Sequence, residues 1–272
     1  MDSWKNKIPN FKAIVDPIRL KVKAEREKGP VYPDPADIMK AFMLTSFEDT
    51  RIVILGPAPY INGNADGLAY SSKAGFETEQ EIIFKEIAAN FGVPNCGYSW
   101  QEYFPTYSLE TWAKRGILLL NIALTCNKED RCAHADLGWD KLITAVLEAL
   151  NKECRPIVFL LWGNLAQTFK SVLNNPKHLV LESGAPIGNH FAGNQHFLKA
   201  SSFLAKQGGI NTISLRKHFN FKSAHEEIQK LAMERKWTPK FTKELTEELD
   251  ASNFYMNLDE SIHLFSTNTN PL

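Results

Sequence analysis

The stretch RIVILGPAPYINGNADGLAYSS, residues 51–72, decides the fold. After its first residue it runs through four apolar, mostly β-branched side chains to Gly56, a pattern typical of a buried strand in a parallel sheet. The remainder is rich in Pro, Gly and Asn and indicates a loop. Because ligands bind at the carboxyl ends of the strands in open parallel sheets, residues 56–72 are predicted to line a site.

Apolar runs and amphipathic segments alternate along the rest of the chain. Further strands are predicted by GILLLNIALT (116–125), PIVFLLWG (156–163) and HLVLES (178–183). Helical spacing and capping residues predict helices over 8–28, 37–46, 78–92, 138–153, 165–175 and 196–208. This alternation predicts an α/β fold with a central, mostly parallel four-stranded sheet and helices on both faces.

The domain organisation follows from where this alternation stops. Residues 1–221 are predicted to form one domain, and residues 222–272 a helical or irregular C-terminal extension of charged and polar character. The extension is a candidate surface for a protein partner.

Composition excludes several classes of protein. The formal net charge of the 272 residues is zero, which argues against a broadly basic nucleic-acid coat but not against a local basic groove. The four cysteines have no CxxC spacing, so we expect free thiols and no metal site. Phosphate-binding glycine motifs are missing from the first loop, and no cofactor is expected. Without a signal-peptide core or a run of about 18 apolar residues, the protein is expected in the cytoplasm, with no membrane contact.

Several stretches, in the same order, resemble the family-1 uracil-DNA glycosylases over about residues 10–220. VILGPAPYINGNADGLAYS resembles the water-activating loop of that family, usually GQDPYH followed by HGL, and GILLLNIALTC the strand with its base-reading Asn. HADLGWDKLITAVL, IVFLLWGNLAQ and GNQHFLKASSFL resemble later segments. The resemblance implies an enzyme that swings a nucleotide out of DNA and hydrolyses its N-glycosidic bond.

The resemblance also implies roles for individual residues. Tyr70 stacks on the flipped base, Asn121 reads its hydrogen-bonding edge, and Tyr60 packs near C5 and limits what the pocket accepts. Together with Pro57 and Ala58 these residues form the expected base pocket. The expected DNA-backbone contacts are Ser71, Gly163, Asn164, Ser183 and Asn189.

The departures from the family pattern fall on the chemistry. Ala58 stands where the family has the Asp that positions water, and its methyl group accepts no proton. Pro57 replaces a residue whose N–H helps to hold the base. LESGAPIGN replaces the loop with the family's catalytic His, and Glu79 stands at or near a phosphate-contacting Ser, where a carboxylate repels phosphate.

Replacement catalysts are available in the same loops. Asp66 supplies a negative charge if it reaches the sugar; the alternative is an Asp that binds its own backbone in a turn. His190 is a candidate donor to the departing base; the alternative is a solvated loop His. With Asn121 these residues are the predicted catalytic set.

Three functions stay open. The first is a glycosylase for a non-standard base, with hypermodified bases in foreign, for example viral, DNA as the obvious class. The second is a catalytically inactive module that binds DNA or protein, and the third is an atypical uracil-DNA glycosylase. An aromatic segment, NCGYSWQEYFPTYS (95–108), either stacks on bases or forms a hydrophobic plug.

Overall fold

The computed structural model describes residues 1–90 and 106–207, together with Met233. The predicted C-terminal extension, apart from Met233, lies outside the described residues, as do residues 95–105 of the aromatic segment. The boundary at residue 221 and the partner surface beyond it therefore stay predictions.

A four-stranded parallel sheet forms the centre of the fold. Its strands are β2 (Ile52–Gly56), β3 (Ile117–Asn121), β5 (Val158–Trp162) and β6 (Leu179–Ser183), in the spatial order β3-β2-β5-β6. Every residue of β2, β3 and β5 is buried, as continuous apolar runs in a parallel sheet require. The predicted α/β class and the four predicted strands are confirmed.

A second, two-stranded sheet was not predicted. Strand β1 (Val31–Tyr32) pairs antiparallel with β4 (Cys126–Asn127). The pairing ties the segment after β3 to the N-terminal part of the chain. Two-residue strands are too short to show periodicity, so neither strand could be predicted from the sequence.

Helices pack along the sheet and alternate with its strands. They are α1 (Asp2–Lys7), α2 (Phe11–Lys28), α3 (Lys40–Leu44), α4 (Thr78–Asn90), α5 (Glu110–Ala113), α6 (Trp139–Asn151), α7 (Asn164–Gln167) and α8 (His196–Lys206). Short 3-10 helices cover Ala135–Leu137 and Thr168–Val172. Within the described part of the chain, no helix is both long enough and apolar enough to cross a membrane.

Three of the predicted helices are shorter than expected. The helix predicted over 165–175 is α-helical only over Asn164–Gln167 and continues as a 3-10 helix over Thr168–Val172. The N-terminal helix predicted over 8–28 is interrupted before Phe11, where Asn10 takes a left-handed backbone with φ of 59°. The helix predicted over 37–46 covers only Lys40–Leu44; residues 35–39 form a turn, and the Asp37 carbonyl packs on Gly67. A Cβ on Gly67 would clash with that carbonyl, so only glycine fits at this position of the loop after β2.

The carboxyl ends of the strands meet at one edge of the sheet. Gly56 is the register partner of Asn121, and Trp162 is the register partner of Ser183. The two pairs place the loops after β2 and β3 at one side of this edge, and the loops after β5 and β6 at the other.

Candidate active site

A narrow crevice lies at the carboxyl ends of β2 and β3. The space between its atoms is about 180 Å³ including open solvent, and none of it admits the centre of a water-sized sphere, so the walls must move apart before a base can enter. Its lining residues are Ala58, Pro59, Tyr60, Ala65, Gly67, Leu68, Tyr70, Ser71 and Asn121. The structure therefore brings together four of the five residues expected in the base pocket. The fifth, Pro57, is not among the lining residues, and its carbonyl accepts the N–H of Ala123 at 3.1 Å.

Asn121 is a buried residue whose side-chain amide has no hydrogen-bond partner within the described ranges. The residue is the last of β3 and is 3% exposed, yet its side chain makes no hydrogen bond to any other described residue. Its backbone position is fixed, because the next N–H, of Ile122, donates to the Gly56 carbonyl at 2.8 Å. Buried polar groups are normally hydrogen-bonded, so an unpaired amide held in a crevice is available to a ligand.

Two tyrosine rings form the walls beside Asn121. Tyr60 and Tyr70 are 7% and 4% exposed, and neither hydroxyl has a partner within the described ranges. Burial raises the pKa of both hydroxyls above the ordinary value of a tyrosine, so the walls are uncharged. The Tyr70 ring leans on Trp162 at 5.5 Å between centroids.

Tyr70 carries backbone strain. Its φ of 62° lies in the left-handed region, which bulky side chains rarely adopt. Strain of this kind persists where the surroundings fix it, and it concentrates at functional sites. Tyr70, the stacking residue that the family resemblance implies, thus lies at the crevice with a backbone conformation that a tyrosine side chain disfavours.

Asp66 stabilises the loop after β2 by two hydrogen bonds. One carboxylate oxygen accepts the N–H of Leu68 at 3.0 Å, and the other accepts the hydroxyl of Ser71 at 2.5 Å. Burial raises the pKa of Asp66, against the opposing effect of these two bonds. This is the turn arrangement that the sequence left open as the alternative to catalysis, and Asp66 is not among the residues that line the crevice. A catalytic role for Asp66 stays a prediction.

Ser71 is engaged on both sides. Its hydroxyl donates to Asp66 and accepts the N–H of Leu109 at 2.9 Å. The bonds join the loop after β2 to the segment before α5. A contact from Ser71 to DNA stays a prediction, and it would require the hydroxyl to leave one of these partners.

Arg131 is a site residue that the sequence did not reveal. Its Nε and one Nη donate to the Ala58 carbonyl at 3.1 and 2.9 Å, and the other Nη donates to Glu79 at 2.6 Å. The guanidinium carbon lies 5.0 Å from the centroid of the Tyr60 ring. Glu79, expected to repel phosphate, is therefore paired with a cation beside the crevice.

The remaining predicted residues lie at the other side of the edge. The N–H of Gly163 donates to the Ser183 carbonyl at 2.9 Å, and Asn164, Asn189 and His190 are exposed. His190 packs its backbone on Gly184, where a Cβ would lie 2.9 Å from the His190 carbonyl oxygen. Neighbouring strands lie about 4.8 Å apart, so three spacings, roughly 14 Å, separate the ends of β3 and β6. The structure shows no contact between His190 and the crevice.

Glu86 fixes the loop that carries His190. This buried carboxylate of α4 accepts the N–H groups of Gly193 and Gln195 at 2.6 and 2.9 Å, and the side-chain amide of Asn90 at 2.7 Å. Sequence reasoning missed it, because a Glu on an amphipathic helix is most often solvated. The loop after β6 is thereby tied to α4.

The chain is similar to proteins of known activity. Residues 42–205 match the family model described as the uracil DNA glycosylase superfamily. A protein of Bacillus subtilis (strain 168) named uracil-DNA glycosylase is 35% identical over 218 residues, which cover 76% of this chain and 92% of the relative. A protein of the same name from Vibrio vulnificus (strain YJ016) is 39% identical over 198 residues, 69% of this chain and 83% of the relative.

A solved structure shares the fold. The crystal structure of mimivirus uracil-DNA glycosylase aligns with a TM-score of 0.66 at 17% identity, over 77% of this chain and 85% of the other. At this identity the likeness concerns the architecture alone.

Proposed function

The chain belongs to the uracil-DNA glycosylase superfamily, whose chemistry makes it a DNA N-glycosylase, and we propose that it excises a non-standard base that Asn121 reads between Tyr60 and Tyr70. A base stacked in a duplex is out of reach of any such crevice, so the nucleotide must first be swung out of the helix. Water then attacks C1′ of the sugar, and the N-glycosidic bond breaks with its electron pair on the base. The products are a free base and an abasic site.

The observation that carries the proposal is the unpaired amide of Asn121. A buried amide between two aromatic walls offers one donor and one acceptor to the edge of a base, while the rings cover its faces. Its donor is also suited to the negative charge that develops on the departing base, and such preorganised donors are a major source of catalysis.

The choice of a non-standard base rests on what surrounds Asn121. No internal hydrogen bond to a described residue fixes which end of the amide faces the crevice, so the edge of either a uracil-like or a cytosine-like base can be matched. The family's water-positioning carboxylate is replaced by Ala58, and its catalytic loop is rewritten around His190. A site with altered catalytic groups supports an altered substrate, and hypermodified bases of foreign DNA are the first class to test.

Uracil is the second candidate, and one observation favours it. Tyr60 is held by Arg131 at 5.0 Å, and the crevice beside it is narrow, so the wall that limits the size of the base is in place. The curated relatives described above are also named uracil-DNA glycosylase.

The rest of the expected DNA surface lies along the same edge of the sheet. Gly163, Asn164, Ser183 and Asn189 are proposed as backbone contacts, with Ser71. Ile187, 62% exposed in the loop after β6, is the proposed wedge that fills the gap left by the flipped nucleotide, because inserted apolar side chains unstack neighbouring bases.

The test is a panel of duplexes that differ at one nucleotide: an unmodified base, uracil or a modified pyrimidine, alongside naturally hypermodified viral DNA. Each is incubated with the protein and then with alkali, which breaks the strand at abasic sites. Strand breaks confined to modified DNA support the proposal, and breaks confined to uracil support the second candidate. Tight binding without breaks at any base would instead identify an inactive binding module.

A further inference from the structure

We propose that Arg131, held in place by Glu79, is the positioning residue that fixes Tyr60 as the selective wall of the base crevice, and so determines how large a substituent the bound base can carry on that side. The inference rests on the proposed function. It adds a residue that does not line the crevice and that acts through the ring of Tyr60.

Three contacts of one guanidinium carry the inference. Arg131 donates two hydrogen bonds to the Ala58 carbonyl, at 3.1 and 2.9 Å, and one to Glu79 at 2.6 Å. Its guanidinium carbon lies over the Tyr60 ring, 5.0 Å from the centroid. The side chain therefore joins the loop after β2, the wall of the crevice and the first turn of α4.

Nothing else among the described residues holds the Tyr60 side chain by a polar contact. Its hydroxyl is buried and unpaired within those ranges. The thiol of Cys126 lies 3.5 Å from the Pro59 carbonyl and secures only the backbone beside the ring. The orientation of the ring accordingly depends on packing and on Arg131.

The ion pair between Arg131 and Glu79 is stronger than an ordinary surface ion pair. The side chains of Arg131 and Glu79 are 27% and 16% exposed, so solvent screens their attraction less than that of a fully exposed pair. A planar guanidinium can stack on the ring and donate to two acceptors at once, which a lysine ammonium cannot. Glu79 sets the plane of the guanidinium by accepting from its outer nitrogen.

The consequence for specificity is direct. By the family resemblance, Tyr60 faces the C5 side of the base, where a substituent would have to displace it. With Arg131 present, such a displacement breaks the cation–π contact between its guanidinium and the ring. Without Arg131 the ring is released, and the crevice accepts a larger substituent.

The decisive measurement is a ratio of kcat/KM values on two duplexes that differ only in a C5 substituent on the target pyrimidine. The panel compares wild type with Arg131→Gln, Arg131→Lys and Glu79→Gln. Arg131→Gln is expected to raise the relative rate on the bulkier base about tenfold, the effect of losing one partly buried cation–π contact. Arg131→Lys and Glu79→Gln should give smaller shifts in the same direction.

Two controls separate positioning from general damage. Lys114→Gln removes the cation of an exposed ion pair with Glu110, near the amino end of β3. The ratio of kcat/KM values on the two duplexes should stay unchanged. Tyr60→Ala should relax selection by itself, and adding Arg131→Gln to it should change nothing further, as expected if Arg131 acts through the ring. An Arg131→Gln ratio equal to wild type, or an equal loss on every duplex, overturns the inference.

A second measurement needs no catalysis. Ring flipping of Tyr60, followed by NMR in ¹³C-tyrosine protein and assigned with Tyr60→Phe, should accelerate at least about tenfold in Arg131→Gln. An unchanged rate overturns the inference whether or not any duplex is cleaved. If wild type cleaves no duplex, the proposed function fails, and the ratio is read from equilibrium binding; binding without discrimination between the two bases then overturns the inference too.

Discussion

Gly56 and Asn121 are register partners at the ends of β2 and β3, and a Cβ on Gly56 would lie 2.6 Å from Asn121 Oδ1 and 2.8 Å from the Ala69 Cβ. Only glycine at this position leaves Asn121 its place in the crevice. Gly56→Ala is therefore expected to displace the amide and lower kcat/KM at least about 100-fold, with overpacking lowering the free energy of unfolding by about 1–3 kcal/mol.

The matched control is Gly29→Ala. Gly29 has an extended backbone, and a Cβ there meets nothing within 4 Å. Its kcat/KM and unfolding curve should stay close to wild type. A Gly56→Ala protein with wild-type kcat/KM would show that the position of Asn121 does not matter.

Asn121→Ala should separate stability from activity. Since the amide has no internal hydrogen bond among the described residues, its removal should change the free energy of unfolding by less than about 1 kcal/mol. The side chain of Asn175 donates to the carbonyls of Asn151 and Glu153 and accepts the N–H of Lys177, so Asn175→Ala should cost about 1–3 kcal/mol with little loss of activity. Denaturant unfolding and steady-state kinetics on both variants test this contrast.

Variants of Asp66 distinguish a structural role in the loop after β2 from a catalytic role. In Asp66→Asn the side-chain oxygen can still accept from Leu68 and the amide can donate to Ser71, so the observed geometry predicts activity within about tenfold of wild type. Asp66→Ala and Ser71→Ala should lower thermal stability and activity together. A loss of about 100-fold or more in Asp66→Asn, with stability retained, would identify the carboxylate as a catalytic group.

His190 is the remaining candidate donor to the departing base. It is exposed and makes no side-chain hydrogen bond to another described residue, so His190→Ala should leave the unfolding temperature unchanged. If the loop brings the imidazole to the bound nucleotide, kcat should fall about 100-fold. An unchanged kcat removes His190 from the mechanism and leaves the fold and the crevice as described.

The buried imidazole of His196 should make the folding stability of the protein sensitive to acid. Its Nδ1 accepts the indole N–H of Trp162 at 3.0 Å, and burial lowers its pKa from 6.5 to about 4. The folded protein thus binds fewer protons than the unfolded chain between these values, so stability is complete above pH 6.5 and is lost as the pH falls towards 4. Denaturant unfolding should show wild type losing up to about 3 kcal/mol more than His196→Asn across this window. Equal losses in the two proteins would contradict the assignment.

The sheet could be predicted from the sequence because each of its strands is encoded by a short run of neighbouring residues. Continuous apolar runs ending in Gly56, Asn121 and Trp162 define three buried parallel strands, HLVLES defines a half-buried fourth that ends in Ser183, and the site follows from their shared edge. Asn121, at the end of its strand, could be placed at this edge for the same reason, whereas Tyr60 and Tyr70 were assigned to the base pocket by the resemblance to the uracil-DNA glycosylases.

The remainder depends on contacts between distant parts of the chain. Arg131 meets Ala58 across 73 residues, and nothing in the polar run NKEDRC marks it as part of the site. Likewise, the helix predicted from residue 37 begins only at Lys40, after a turn whose Asp37 carbonyl packs on Gly67. Neither contact can be recognised from the periodicity of the sequence.

The most direct test of the account is the release of a free base. Duplex that wild type is found to cleave is incubated with wild type or Asn121→Ala, and the freed base and the abasic sites are both quantified by mass spectrometry. We expect wild type to release one base per abasic site, and Asn121→Ala at least about 100-fold more slowly. Release by Asn121→Ala at the wild-type rate, or abasic sites without free base, would contradict excision of a single nucleotide held between Tyr60, Tyr70 and Asn121.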